Sequence, residues 1–188
     1  MALFGSGVEI GLHLTVMLAS IRADDCPSVK ELAGFQGVSQ TFAAKLFTRL
    51  EKAGIVESVE GSRGGFRLKR DAASISALEV IDAIEGHKPI FTCREIRGRC
   101  VLFDDQVPTW AATGVCDIHK LMIEAEQSMR KTLAGRSLQD IASAVGAKMP
   151  VQTAQEAITW FDQTQTGRGV VRTARRPRAK TRKTGGDG

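Results

Sequence analysis

The sequence predicts a mostly α-helical fold with one small β-hairpin, on three observations. A short helical stretch, a tight turn and a longer helical stretch occupy residues 28–54. An alternating pattern around a glycine-rich turn follows directly, over 55–69. A long apolar stripe then recurs at helical spacing, through Ile118, Leu121, Met122, Ala125, Met129 and Leu133. Two helices joined by a tight turn are the ingredients of a helix-turn-helix, and a hairpin placed right after the second helix is a candidate wing. The expected architecture is a winged helix-turn-helix plus a long dimerisation helix.

Each element has a local reason. Ile10, Leu14, Met17, Leu18 and Ile21 share one helical face, so residues 7–22 read as a first amphipathic helix. Ser28 followed by Glu31 forms a capping box for a short helix ending near Phe35. After the turn at 36–38, Ser39 caps a third helix that carries Phe42, Leu46, Phe47 and Leu50 and stops at Gly54. Residues 55–59 and 66–69 alternate around the turn 61–65 and predict the hairpin. Residues 76–85 form another short helix. Residues 86–107 have few apolar repeats and read as a loop, and Pro108 suits an early helical position. The stripe from Ile118 needs a partner; a second copy of the chain is the economical one, and packing on the chain's own body is the alternative. Residues 137–145 and 151–163 predict two more helices. The expected organisation is a DNA-binding domain over 1–86, a loop over 87–107, a dimerisation helix with a following short helix over 108–145, an accessory segment over 146–166, and a disordered basic tail over 167–188.

Charge sharpens this division. The 188-residue chain has a formal net charge of +5. Eight of its 26 Lys/Arg and one of its 21 Asp/Glu lie in residues 167–188, which carry +7 and leave −2 for the rest. A uniformly basic coat is therefore excluded. Residues 39–70 stand out from the acidic body with seven basic and three acidic residues, a net of +4. Lys and Arg there neutralise phosphates and give salt-dependent affinity. Ser39, Gln40, Thr41 and Lys45, on the N-terminal face of the third helix, are donors and acceptors of the kind that read major-groove base edges, although capping is an equally good role for Ser39. With a hydrophobic content of 43% the body builds a real core. No apolar run is long enough to span a membrane and no secretory signal is visible, so a cytoplasmic protein is expected. No nucleophile–base pair or phosphate loop marks an enzyme.

The four cysteines, in a reducing compartment, read as fillers, metal ligands or redox thiols. Cys93, Cys100 and Cys116 are spaced C-x6-C-x15-C, and Cys26 precedes the helix-turn-helix. That spacing alone leaves metal binding and metal-free thiols both open. Glu9 and His13, four apart on the first helix, share a face one turn apart. On spacing alone an exposed ion pair explains them better.

The stretches 38–58 (VSQTFAAKLFTRLEKAGIVES) and 61–70 (GSRGGFRLKR), with 76–86 (SALEVIDAIEG), resemble the winged helix-turn-helix family of IscR, NsrR and RsrR, with Phe66 where a tyrosine is usual. The resemblance runs from the first helix to about residue 145. It implies a dimeric bacterial transcription regulator, acting as a repressor, whose third helix (Ser39, Gln40, Thr41, Lys45, Arg49) enters the major groove of a double-stranded DNA operator while Arg63 at the hairpin tip reaches the minor groove. It also implies a 2Fe-2S iron–sulfur cluster. One ligand scheme in the family uses three closely spaced cysteines plus another residue, and here Cys100 would be the third thiolate. A second scheme, of the RsrR type, joins two cysteines of one subunit to a glutamate and a histidine of the other. The segments 7–13 (GVEIGLH), 91–97 (FTCREIR) and 115–118 (VCDI) are similar to that type. They carry the ligand roles over to Cys93, Cys116, Glu9 and His13, with His119 in reserve and Cys100 a bystander or accessory thiol. In that scheme the cluster cycles by one electron, His13 exchanges a proton in step, and the angle between the recognition helices changes. A cluster-free thiol sensor and a winged helix that docks a protein are the alternatives.

Overall fold

The structure, a computed structural model, describes residues 2–22, 25–61, 64–104 and 106–166. Along these the chain runs α1 (Ser6–Ser20), α2 (Val29–Gln36), α3 (Gln40–Lys52), β1 (Val56–Val59), β2 (Gly65–Leu68), α4 (Ala77–Glu85), α5 (Thr109–Ala112), α6 (Asp117–Ala134), α7 (Leu138–Gly146) and α8 (Val151–Thr166). The mostly helical fold with a two-stranded wing is the one expected. The basic tail from Gly167 lies outside the described residues.

The core gathers around α1, which packs against α2, α3, α4 and α7. Leu14 and Leu18 of the expected stripe are buried, while Ile10, Met17 and Ile21 are half-buried beside them. Val8, Gly11 and Thr15 are buried as well. A helix enclosed on several sides buries more than one stripe. The Thr15 hydroxyl is kept satisfied there by donating to the Gly11 carbonyl at 2.9 Å.

The Ser28–Glu31 capping box forms as the sequence requires, and α2 ends on Gly37, whose φ of +72° makes the tight turn into α3. Ala43, Leu46, Phe47 and Leu50 turn inward from α3. Phe42, expected among them, instead lies at the edge of the core against α1: a Cβ built on Gly7 would stand 3.6 Å from its ring tip. The wing is antiparallel, with Val56 opposite Leu68 and Glu57 opposite Arg67. It is seated by the Phe66 ring on Phe47 (centroids 4.8 Å apart) and by the Phe66 N–H donating to the Pro27 carbonyl at 2.9 Å. Gly65 permits this approach, because a Cβ there would fall 2.1 Å from the Cys26 carbonyl oxygen. Ser62 and Arg63, at the tip, lie outside the described residues.

α4 and α7 start side by side. Each has a capping box, Ser76 with Glu79 and Ser137 with Asp140. Between them Ala77 N–H donates to Arg136 O and Leu138 N–H donates to Ile75 O, both at 2.8 Å. The loop expected over 86–107 is irregular apart from two 3-10 turns, at Ile96–Arg99 and Val101–Phe103. Pro108 is the N-cap of α5, which lasts one turn; Gly114, at φ +69°, separates it from α6. The C-terminal half of α6 lies on α4, where Arg130 binds Asp82 at 2.7 Å. Its N-terminal half is bare: Ile118 and Leu121 are 65% and 63% exposed. No helix among the described residues is long and apolar enough to cross a membrane.

Candidate DNA interface and thiol site

α3 presents Gln40, Thr41, Lys45, Thr48, Arg49 and Lys52 to solvent. Ser39 Oγ accepts the Phe42 N–H at 3.4 Å, so it acts as the cap while remaining exposed. Arg49 does more than face outward. Its Nη1 donates to the Ile84 carbonyl at 2.5 Å, tying α3 to the last turn of α4. Arg67 pairs with Glu57 at 2.8 Å and Arg70 with Glu79 at 2.6 Å. The +4 segment thus narrows to Lys45, Lys52 and Lys69, which form no ion pair among the described residues. Arg63 lies outside the described residues.

The end of α4 is a junction. Ile84 O holds α3, and the Glu85 carboxylate accepts the N–H of Gly5, at the start of α1, at 2.7 Å. That backbone hydrogen bond, opposed by desolvation and helped by Lys88, holds the Glu85 carboxyl below the usual glutamate range. On the α6 side, Glu126 accepts from His87 at 2.8 Å and from the Ile90 N–H at 3.1 Å, and its carboxyl is lowered chiefly by His87.

Cys93, Cys100 and Cys116 line one cavity of about 580 Å³, together with Phe91, Glu95 and His119. All three are free thiols; Cys93 and Cys116 are half-buried and Cys100 is exposed. Two features assemble the cavity. Arg97 donates to the carbonyls of Thr113 (3.2 Å) and Gly114 and pairs with Glu95 at 3.2 Å, which clamps the strand of chain before Cys116 against the segment after Cys93. Cys116 then stands as N-cap of α6, and His119, one turn on, turns its ring toward Phe91 at 5.9 Å. Ligand atoms of Cys93, Glu95 and His119 come within 4.8 Å of one another. Glu95 and Arg97 carry no sequence signal as site residues beyond their place in the 91–97 segment, because the partners of Arg97 are backbone carbonyls 16 and 17 residues away.

Glu9 and His13 are exposed on one face of α1 and do not line this cavity within their own chain. Neither side chain has a hydrogen bond or ion pair among the described residues. The fourth thiol, Cys26, is buried against the wing, as a filler would be.

A helix-turn-helix with its second helix exposed and a wing seated beside it has the form of a DNA-binding transcription regulator. The chain belongs to the Rrf2 family, described as iron-dependent transcriptional regulators, whose model matches residues 4–144. Among its relatives, HTH-type transcriptional regulator ORF2 of Azotobacter vinelandii is 30% identical over 132 residues, covering 69% of this chain and 74% of that one. IscR of Escherichia coli is 42% identical over 65 residues, 35% of this chain and 40% of that one. Similar folds occur in IscR of T. potens (TM-score 0.61, 22% identity, 79% and 93% coverage) and in CymR, the global cysteine regulator of B. subtilis (TM-score 0.60, 23% identity, 77% and 98% coverage).

Proposed function

We propose that this Rrf2-family regulator is a redox-responsive repressor. In this reading it binds a pseudo-palindromic operator as a homodimer and holds a 2Fe-2S cluster at the dimer interface. Cys93 and Cys116 of one subunit would hold the cluster together with Glu9 and His13 of the other. The observation that carries the reading is the complementarity of the two half-sites. Two half-buried free thiols share a cavity wide enough for a cluster, while a carboxylate and an imidazole one turn apart stand exposed and unpartnered on α1. Soft thiolates suit cluster irons. Such a cluster supplies a one-electron couple, and imidazole in place of thiolate raises its potential.

The remaining steps belong to the chain. The bare N-terminal half of α6, with Ile118 and Leu121, offers the apolar face that a second copy covers. A displacement of α1 reaches the recognition helix by two short routes. One runs from Gly5 through Glu85 and Ile84 to Arg49, and the other from Gly7 directly to Phe42. Lys45, Lys52 and Lys69 meet phosphates, while Gln40 and Thr41 read base edges; Arg63 is proposed for the minor groove.

A second ligand scheme is favoured by one observation, the convergence of Cys93, Glu95 and His119 within a single chain. Visible absorbance and iron content of anaerobically purified variants separate the two. Colour lost in His13→Ala and kept in His119→Ala is expected. The reverse pattern would transfer the fourth ligand to His119, and loss in Cys100→Ser would indicate three thiolates. A colourless, iron-free wild type that still retains DNA would leave a thiol sensor.

A further inference from the structure

α8 lies beyond residues 4–144, the span shared with the family, and it creates a site of its own. With α1 and α2 it encloses a cavity of about 320 Å³, at the lower end of the size range of small-molecule pockets. The helix is anchored there by aromatic rings: Phe161, 3% exposed, lies 5.0 Å from Phe35, and Trp160 lies 5.1 Å from the same ring. The walls are apolar, formed by Val16, Met17, Phe35, Met149, Ile158 and Phe161. The polar lining is Ser20, Gln36, His13 and the oppositely charged Arg22 and Asp25; His13 is left to the cluster reading.

We infer that this cavity binds a small uncharged aromatic molecule carrying one hydrogen-bonding oxygen, the phenol class. Two rings, Phe35 and Phe161, set among aliphatic side chains accept a flat apolar body. The opposed charges of Arg22 and Asp25 give a net charge no advantage, and an ionised group buried without a partner is costly. The side-chain amide of Gln36, which also lines the cavity, donates or accepts one hydrogen bond. Phe35 lies two residues before the Gly37 turn, so an occupant touches the helix-turn-helix from behind, at the end of α2 that leads into the recognition helix.

The test is titration of 2-naphthol into metal-free, full-length protein, followed by calorimetry and by the methyl resonances of the methionines. Metal-free protein keeps this test apart from the cluster reading, which the colour of the His13 and His119 variants decides. Saturable one-to-one binding is expected, with shifts at Met17 and Met149 and none at Met122 and Met129. Ala157→Trp, which fills the cavity, is expected to weaken binding at least about tenfold, and Gln36→Ala about fivefold, the worth of one hydrogen bond. Absence of saturable binding, shifts centred on Met122 and Met129, or full affinity in Ala157→Trp would overturn the inference. Equal affinity for the 2-naphthoate anion would overturn the ligand class. The methyl shifts decide the location even where Ala157→Trp does not fold.

Discussion

Replacing Arg97 by alanine should loosen the thiol site without unfolding the body. Its guanidinium donates to two backbone carbonyls, Thr113 and Gly114, and pairs with Glu95. A hydrogen bond from a charged donor contributes about 1.5–3 kcal/mol. The side chain is 22% exposed, which discounts the two carbonyl bonds to about 2–3 kcal/mol together, and the Glu95 pair, whose carboxylate side is 61% exposed, adds at most about 1 kcal/mol. A loss of 2–3 kcal/mol raises the opening equilibrium of residues 113–116 by about 30- to 150-fold. Hydrogen exchange of those amides reads that factor directly, and if the proposed cluster is held its colour should be lost correspondingly faster. The melting temperature of the body should move by less than about 2 °C, because the clamp lies outside its core. Arg97→Lys should fall between, since an ammonium lacks the planar fork that reaches both carbonyls. Exchange within about threefold of wild type, or a melting temperature lowered by more than about 5 °C, would refute the clamp.

Three further outcomes follow from the fold. Gly65→Ala should destabilise by about 2–4 kcal/mol in denaturant unfolding and weaken DNA retention, because the new Cβ meets backbone oxygens of residues 26 and 27 that have nowhere to go. Ser76→Ala and Ser137→Ala should each cost about 1 kcal/mol, lowering the melting temperature by about 2–4 °C. The backbone bridge makes their combination non-additive, so strict additivity in a double-mutant cycle would show the two caps to be independent. Glu85 titrates below the ordinary glutamate range in the folded chain, so its contribution is complete above about pH 4.3 and is lost as pH falls through the depressed value. Acid unfolding of Glu85→Gln should therefore converge with wild type below that window and differ from it above; parallel curves at all pH values would remove Glu85 from the α1–α4 contact.

The DNA-binding half was legible because its signals are local. Ser28 with Glu31, Ser39 and Gly37 act within four residues, and the hairpin is bounded by glycines. Leu46, Phe47 and Leu50 repeat at helical spacing over a helix buried on one side only. α1 was read less fully, because a helix packed on several faces hides Thr15 and Gly11 behind a simple periodicity. The thiol site was half legible: the cysteines stand out in sequence, whereas Arg97 acts through carbonyls that any residue could supply. Arg49 reads as a phosphate contact from its charge, and only the packed structure brings the Ile84 carbonyl to it.

The paired starts of α4 and α7 have a topological consequence. Backbone bonds fasten residue 77 to 136 and residue 75 to 138, so the chain, having run along α4 and out through the thiol segment and α6, returns to the start of α4. What lies between the end of α4 and Arg136, including the three thiols, the Arg97 clamp and α6, is an excursion with fixed feet. It has no free arm to swing. Any rearrangement inside it is delivered to the body as torque at those feet and at the Asp82–Arg130 contact. A linker long enough to run the length of α4, from its last turn to Arg136, would keep the body's hydrogen-bonded seam while removing the thiols and the α6 face proposed for pairing.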